Sequence, residues 1–300
     1  MTRLRKSHLF LITIPVILAA IAAGAVVLYR EWRGQQIAFI GDSHGEMPGL
    51  YRLNLLYGEP ILIVPGPIAD PRWSPNGGQI AFVSSADEQG RPPYQIAVMD
   101  ADGRNIQSLT TGEGRRYYPA WSPDGKQIAY VEALNYKGGG PLAIFVMDCD
   151  GSQPRQITPY AYYIELSWSP DSKWIAFSTF NAIYLVSSDG ADLRQLTDQF
   201  SDSFPVWSPD GTYIAFQSTR EDPGQHLDIY VMRADGTEIR RLTDDPAHDR
   251  QPSWSPDGEH IIFESNRDSD FFYHVYIMNA DGTEQKRLVE IESNSPIWRP

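Results

Sequence analysis

Short apolar runs that fit extended backbone alternate along this chain with clusters of Ser, Pro, Asp and Gly, and one full cycle spans Pro205 to Thr243. A segment ending in Trp207 runs into Ser208-Pro209-Asp210-Gly211, and Tyr213-Ile214-Ala215-Phe216-Gln217 follows, then a loop from Ser218 to His226. Asp228-Ile229-Tyr230-Val231-Met232 comes next, then the turn Ala234-Asp235-Gly236, then Ile239-Arg240-Arg241-Leu242-Thr243. Runs of this length, rich in β-branched and aromatic residues and bounded by turn formers, predict four strands, A to D. Pro presets φ, Asp bonds its own backbone and Gly accepts positive φ, so the Asp-Gly sites predict tight turns.

The cycle recurs at Trp73-Ser74-Pro75-Asn76-Gly77, Trp121-Ser122-Pro123-Asp124-Gly125, Trp168-Ser169-Pro170-Asp171-Ser172 and Trp254-Ser255-Pro256-Asp257-Gly258. Trp298-Arg299-Pro300 is a broken last copy. A period of this size marks a repeat array. A single four-stranded sheet cannot bury both faces, so the sheets are expected to pack face to face around an axis as an all-β propeller of antiparallel blades. The first copy, Gln36-Ile37-Ala38-Phe39-Ile40, has no A strand before it, while Pro296-Ile297-Trp298 has the A pattern and no B strand after it. The two ends are therefore expected to share a blade, closing residues 35–300 into a six-bladed ring without an exposed sheet edge.

Residues 252–288 follow, almost letter for letter, the phrase Pro-x-Trp-Ser-Pro-Asp-Gly-x-x-Ile-Ala-Phe, then Ile-Tyr-Val-Met-Asn-Ala-Asp-Gly, then Arg-Leu. In this the chain resembles the TolB-type propellers, whose repeat is often called WD-like. The resemblance covers Gln36 to Pro300 and implies the propeller fold. TolB itself works in an envelope complex with a peptidoglycan-associated lipoprotein, a role the resemblance does not carry over to this chain. TolB carries a small α/β domain ahead of its propeller, whereas this chain has an apolar segment there, so the resemblance extends to the propeller half alone.

That segment runs from Leu9 to Tyr29 without a charged residue, long enough to cross about 30 Å of hydrocarbon as a helix. Arg3, Arg5 and Lys6 precede it, so residues 1–8 are expected to be a cytoplasmic stub, 9–29 a single-pass transmembrane anchor and 30–34 a linker to an extracytoplasmic propeller. Cleavage at Ala20-Ile21-Ala22 or Ala23-Gly24-Ala25 is the alternative and would release a soluble exported protein. The formal charge is −13, and residues 1–33 are net basic, so the propeller is more acidic still and nucleic-acid binding is not expected. Cys149, the sole cysteine, takes the place of Ala101 in an equivalent turn and is read as a small turn residue.

In an A-to-D blade the A–B and C–D turns fall on one face and the B–C and D–A loops on the other. The first are uniformly tight and the second vary, so the loop-rich face and channel mouth are the expected binding surface. Its D–A loops are aromatic: Tyr117, Tyr118, Tyr160, Tyr162, Tyr163, Phe200 and Phe204. These side chains either contact a ligand or pack between blades. Arg220, Arg267, His248 and Asp249 complete the candidate set, the arginines alternatively pairing within their blades. The function expected is that of a monomeric, membrane-anchored scaffold for an envelope protein, peptide or glycan, with no cofactor and no catalysis. A metal-dependent polysaccharide lyase or hydrolase using His44, His226 and His248 is the enzymatic alternative.

Overall fold

The computed structural model describes residues 36–41, 49–54, 60–66, 68–84, 94–133, 140–159, 164–179, 182–198, 201–221, 226–268, 272–288 and 293–298. The expected stub, membrane segment and linker lie outside them. The chain folds into six four-stranded antiparallel sheets, the blades of a propeller. Blade 1 contains β1 (Gln36–Gly41), β2 (Gly49–Asn54) and β3 (Pro60–Pro65). Blade 2 contains β4 (Ile68–Trp73), β5 (Gln79–Ser84), β6 (Gln95–Asp100) and β7 (Gln107–Ser108). Blade 3 is β8 (Arg115–Trp121), β9 (Gln127–Ala133), β10 (Leu142–Asp148) and β11 (Arg155–Gln156). Blade 4 is β12 (Ile164–Trp168), β13 (Trp174–Ser178), β14 (Ile183–Ser187) and β15 (Leu193–Gln195). In blade 5 the strands are β16 (Ser203–Trp207), β17 (Tyr213–Ser218), β18 (Asp228–Arg233) and β19 (Arg240–Arg241). Blade 6 has β20 (Asp249–Trp254), β21 (His260–Ser265), β22 (His274–Asn279) and β23 (Lys286–Arg287). The final strand, β24 (Ser293–Trp298), pairs antiparallel with β1, with Ile37 opposite Trp298 and Gly41 opposite Ser293. It also packs against β20 on one side and β4 on the other.

The Trp-Ser-Pro-Asp-Gly phrase works as a hydrogen-bonded turn. In blade 3 the Ser122 hydroxyl donates to Asp124 at 2.7 Å and accepts from the Gln127 N–H at 2.9 Å, while Gly125 N–H closes the turn on the Ser122 carbonyl. Asp124 also accepts from Lys126 N–H, and the Ser122 hydroxyl holds its carboxyl below the usual range. The serine is buried in every copy, so its two bonds replace water at the top of the A–B hairpin.

B and C strands are buried on both faces because each blade is sandwiched between two others. Trp168 and Phe177 of blade 4 pack with Val131 and Val146 of blade 3, and Trp254 of blade 6 packs with Ala215 and Val231 of blade 5. Trp168 and Trp254 also bond across blades: Trp168 Nε1 donates to the Ala120 carbonyl at 2.9 Å, and Trp254 Nε1 to the Val206 carbonyl at 3.2 Å. Within a blade, the Phe of Ile-Ala-Phe faces the Tyr of strand C, as in Phe216 opposite Tyr230 with ring centroids 5.7 Å apart.

Fourth strands are shorter than the sequence pattern predicts. Ile239 to Thr243 reads as one strand, but the paired part is Arg240–Arg241. The reason is Thr243, whose side chain takes over from the backbone: Oγ1 accepts the Ile229 N–H at 3.0 Å. Thr110, Thr158 and Thr197 do the same for Ile96, Ile144 and Ile183. Thr243→Val keeps the shape and removes the acceptor, so it is expected to lower unfolding free energy by about 1–3 kcal/mol through an unsatisfied buried N–H. Chemical denaturation of the variant measures this.

Candidate functional site

Every A strand of blades 2 to 6 breaks register with its B strand, and the break falls at the residue three before the tryptophan. Those residues are Asp70, Tyr118, Glu165, Phe204 and Gln251, all with φ between 50° and 55°. Positive φ in a side-chain-bearing residue is strained, and a bulge re-aims a side chain that regular pleating would send elsewhere. Because A strands contact one another around the ring, these residues come together at its axis.

Between the bulges and the A–B turns lies a cavity of about 320 Å³. Trp73, Trp121, Trp168 and Trp254 line it with Phe204 and Ile297, and its polar lining residues include Arg72, Glu165 and Gln251. Pro123 and Pro256 of the A–B turns also line it, so it extends toward the tight-turn face, away from the loop-rich one.

At the level of the bulges, Arg72 of blade 2 reaches past blade 3 to Glu165 of blade 4, Nη2 to Oε2 at 2.7 Å. Tyr118 lies in the strand between them, and its N–H donates to Asp70 at 3.4 Å. Burial, opposed by Arg72 and reinforced by Asp70, pushes the Glu165 carboxyl up to about 7. Desolvation raises Asp70 too, against Arg72 and the Tyr118 N–H, and burial beside Glu165 and Asp70 raises the Tyr118 hydroxyl. For Glu165 the folded state therefore holds a proton that the unfolded chain has lost, so its contribution to stability falls as pH rises from about 4.5 to about 7 and is constant above. Glu165→Gln is expected to flatten this part of the stability profile, which thermal melts from pH 4 to 8 would read.

Tyr117 and Tyr118 pack, partly buried, against the core between blades 3 and 4, and Tyr117 also meets the Tyr94 ring at 5.6 Å. Arg220 and Arg267 are held inside their own blades. Arg220 pairs with fully buried Asp202 at 2.6 Å, and Arg267 pairs with fully buried Asp249 at 2.8 Å. Each guanidinium also lies over its blade's aromatic pair, Arg220 at 5.3 Å from the Phe216 and Tyr230 rings and Arg267 at 4.7 Å from Tyr276. His248 and His226 face each other with ring centroids 5.7 Å apart. Leu227 N–H donates to His248 Nδ1, and burial, then His226, then Arg250 lower the His248 pKa. His44, Tyr160, Tyr162, Tyr163 and Phe200 lie outside the described residues. Among the described residues, one group of three metal-ligating side chains falls within mutual reach: Asp257, Glu259 and His260, beside an A–B turn.

Of the axial residues, the sequence pattern points to Tyr118 and Phe204 and passes over Asp70, Arg72, Glu165 and Gln251. A signal was present. The position three before each tryptophan differs in every copy of an otherwise repetitive phrase, as expected of a position that faces a site and takes no part in building the blade.

The TolB beta propeller domain family matches residues 31–227 and 144–300, which together span the propeller. The chain belongs to that family. A search of curated proteins by sequence gives no match. Among solved structures, TolB from Acinetobacter baumannii superposes with a TM-score of 0.77 at 23% identity, over 93% of this chain and 72% of that one. An oligogalacturonate lyase from Vibrio parahaemolyticus gives 0.61 at 16% identity, over 86% and 75%. An oligogalacturonate lyase in complex with manganese gives the same score and identity, over 86% and 74%. At these identities the likenesses establish the shared propeller fold. This TolB-type propeller thus presents two distinct surfaces, an axial cavity opening between tight turns and a loop-rich face carrying the histidine pair.

Proposed function

We propose that the protein is a membrane-anchored, extracytoplasmic propeller that captures a protein or peptide partner of the cell envelope, acting without catalysis, its ring closed by β24 in the first blade. The observation that carries this reading is that three of the five strained bulge residues, Glu165, Phe204 and Gln251, line one aromatic-walled axial cavity. Backbone strain maintained in each repeat concentrates where recognition needs preset side chains, and aromatic residues are enriched at protein interfaces. The reading moves the centre of recognition from the loop-rich face to the axis. Tyr117, His248 and Asp249 then belong to the blades that support the axis or to the opposite face. Family membership agrees with a role in holding envelope proteins. The test is a crosslinking pull-down from native membranes with the full-length protein, alongside a version lacking residues 1–34. One abundant protein captured by both supports the reading, and capture of none by either contradicts it.

A second reading, a metal-dependent polysaccharide lyase, is favoured by the likeness to the oligogalacturonate lyases and by the His226–His248 pair. Two imidazoles are fewer than the three protein ligands of a typical catalytic zinc site, so the pair by itself holds a metal weakly. Manganese binding to the purified protein, lost in His248→Ala together with polysaccharide cleavage, would establish it.

A further inference from the structure

We propose that the axial cavity receives a single basic side chain, lysine or arginine, presented by an extended segment of the partner. This rests on the binding function proposed above and specifies its chemistry.

Three features lead to it. The first is size, since about 320 Å³ takes one long side chain with its flanking backbone and excludes a folded element. The second is the wall, which four tryptophans and Phe204 line, offering apolar cover to a methylene stem. The third is charge on the wall, where Glu165 accepts from Arg72 at 2.7 Å while Asp70, on the Arg72 strand and outside the cavity lining, feels the charge of the same guanidinium. One cation between two acids leaves a negative excess wherever both ionise. The neighbouring strands do not offset it, since the Tyr118 hydroxyl of β8 is held above its usual range, Arg116 of β8 is engaged by Glu132 of β9 at 3.1 Å and Arg250 of β20 is engaged by Glu264 of β21 at 2.7 Å. An incoming ammonium or guanidinium supplies the second positive charge. The formal charge of −13 attracts cationic partners from a distance.

Glu165 has to ionise to accept the cation, so binding is accompanied by proton release near neutral pH and strengthens as pH rises through about 7. The groups facing it are Asp70, Arg72, Tyr118 and, through space, Glu264.

The experiment uses the full-length protein and three capped pentapeptides of alanine whose central residue is lysine, norleucine or glutamate, read by tryptophan fluorescence and by calorimetry in two buffers of different ionisation enthalpy. The lysine peptide is expected to bind at least tenfold more tightly than the other two and to release protons below pH 7. Glu165→Gln should abolish the lysine preference. Gln251→Glu, which adds a carboxyl to the cavity wall, should increase it severalfold, and this gain is readable even if Glu165→Gln folds poorly. Equal binding of lysine and norleucine peptides overturns the proposal, as does a lysine preference that survives Glu165→Gln or is unmoved by Gln251→Glu. Butylammonium binding as tightly as the lysine peptide overturns the assignment to a peptide and gives the cavity to small amines. If membranes yield a partner whose capture is indifferent to both substitutions, the binding function stands and the basic side chain does not.

Discussion

Removal of residues 293–300 is expected to unfold the propeller or reduce it to an open, aggregating ring. β24 covers Ala38 and contributes Ile297 to the core shared by blades 1 and 2, where Ala38 and Leu50 have no exposed surface. It also packs against β20 and β4, so its loss opens the first blade and its contacts with blades 6 and 2 at once. Whole domains are stable by about 5–15 kcal/mol, and uncovering several core side chains at about 1.5–3 kcal/mol each consumes most of that. The measurement is chemical denaturation of the truncated protein, with binding of a hydrophobic dye. A cooperative transition at the parent's midpoint would show that the chain ends contribute no closure.

The second large effect is expected from Gly282→Ala in the C–D turn of blade 6. Gly282 has φ +93°, and a Cβ there would sit 2.7 Å from the Leu242 carbonyl oxygen of blade 5, a backbone atom that cannot swing aside. The same contact recurs from Gly151 to Leu109, Gly190 to Ile157 and Gly236 to Leu196, each turn glycine resting on the carbonyl of the blade before it. The substitution combines left-handed strain of about 1–2 kcal/mol with a blade-to-blade clash, for a loss of about 3 kcal/mol. Gly125→Ala is the internal comparison, because Gly125 also has positive φ, +71°, yet nothing lies within 4 Å of its Cβ position. It should lose the strain component alone, about 1 kcal/mol. Equal losses in the two variants would mean that the carbonyl contact is not what demands glycine.

These predictions also indicate how far the sequence could be read. The Trp-Ser-Pro-Asp-Gly phrase revealed the blades because its chemistry is local: Ser122, Asp124 and Gly125 satisfy one another within six residues. Pairing β24 with β1 was legible from a missing A strand at one end and a surplus A strand at the other. The shortness of the fourth strands was hidden because Thr243 bonds a residue 14 positions away through its side chain, and Ile239 to Thr243 reads as strand whether its end pairs by backbone or by side chain. Arg220 and Arg267 read as candidate partner anchors or, more readily, as surface or intra-blade pairs, and the fully buried Asp202 and Asp249 beside them show the intra-blade pairing. Arg72 and Glu165 could not be linked in advance, since they are 93 residues apart and meet only because a bulge in β12 turns Glu165 toward the axis.

The central claim is recognition at the axis, and site-specific photo-crosslinking tests it most directly. A photoreactive amino acid replaces Gln251 on the cavity wall in one version of the full-length protein and exposed Ile106 on the outer rim in another, and both are irradiated in native membranes. The account predicts one discrete protein adduct from position 251 and none from position 106. Adducts from the rim alone, with position 251 silent, would contradict it.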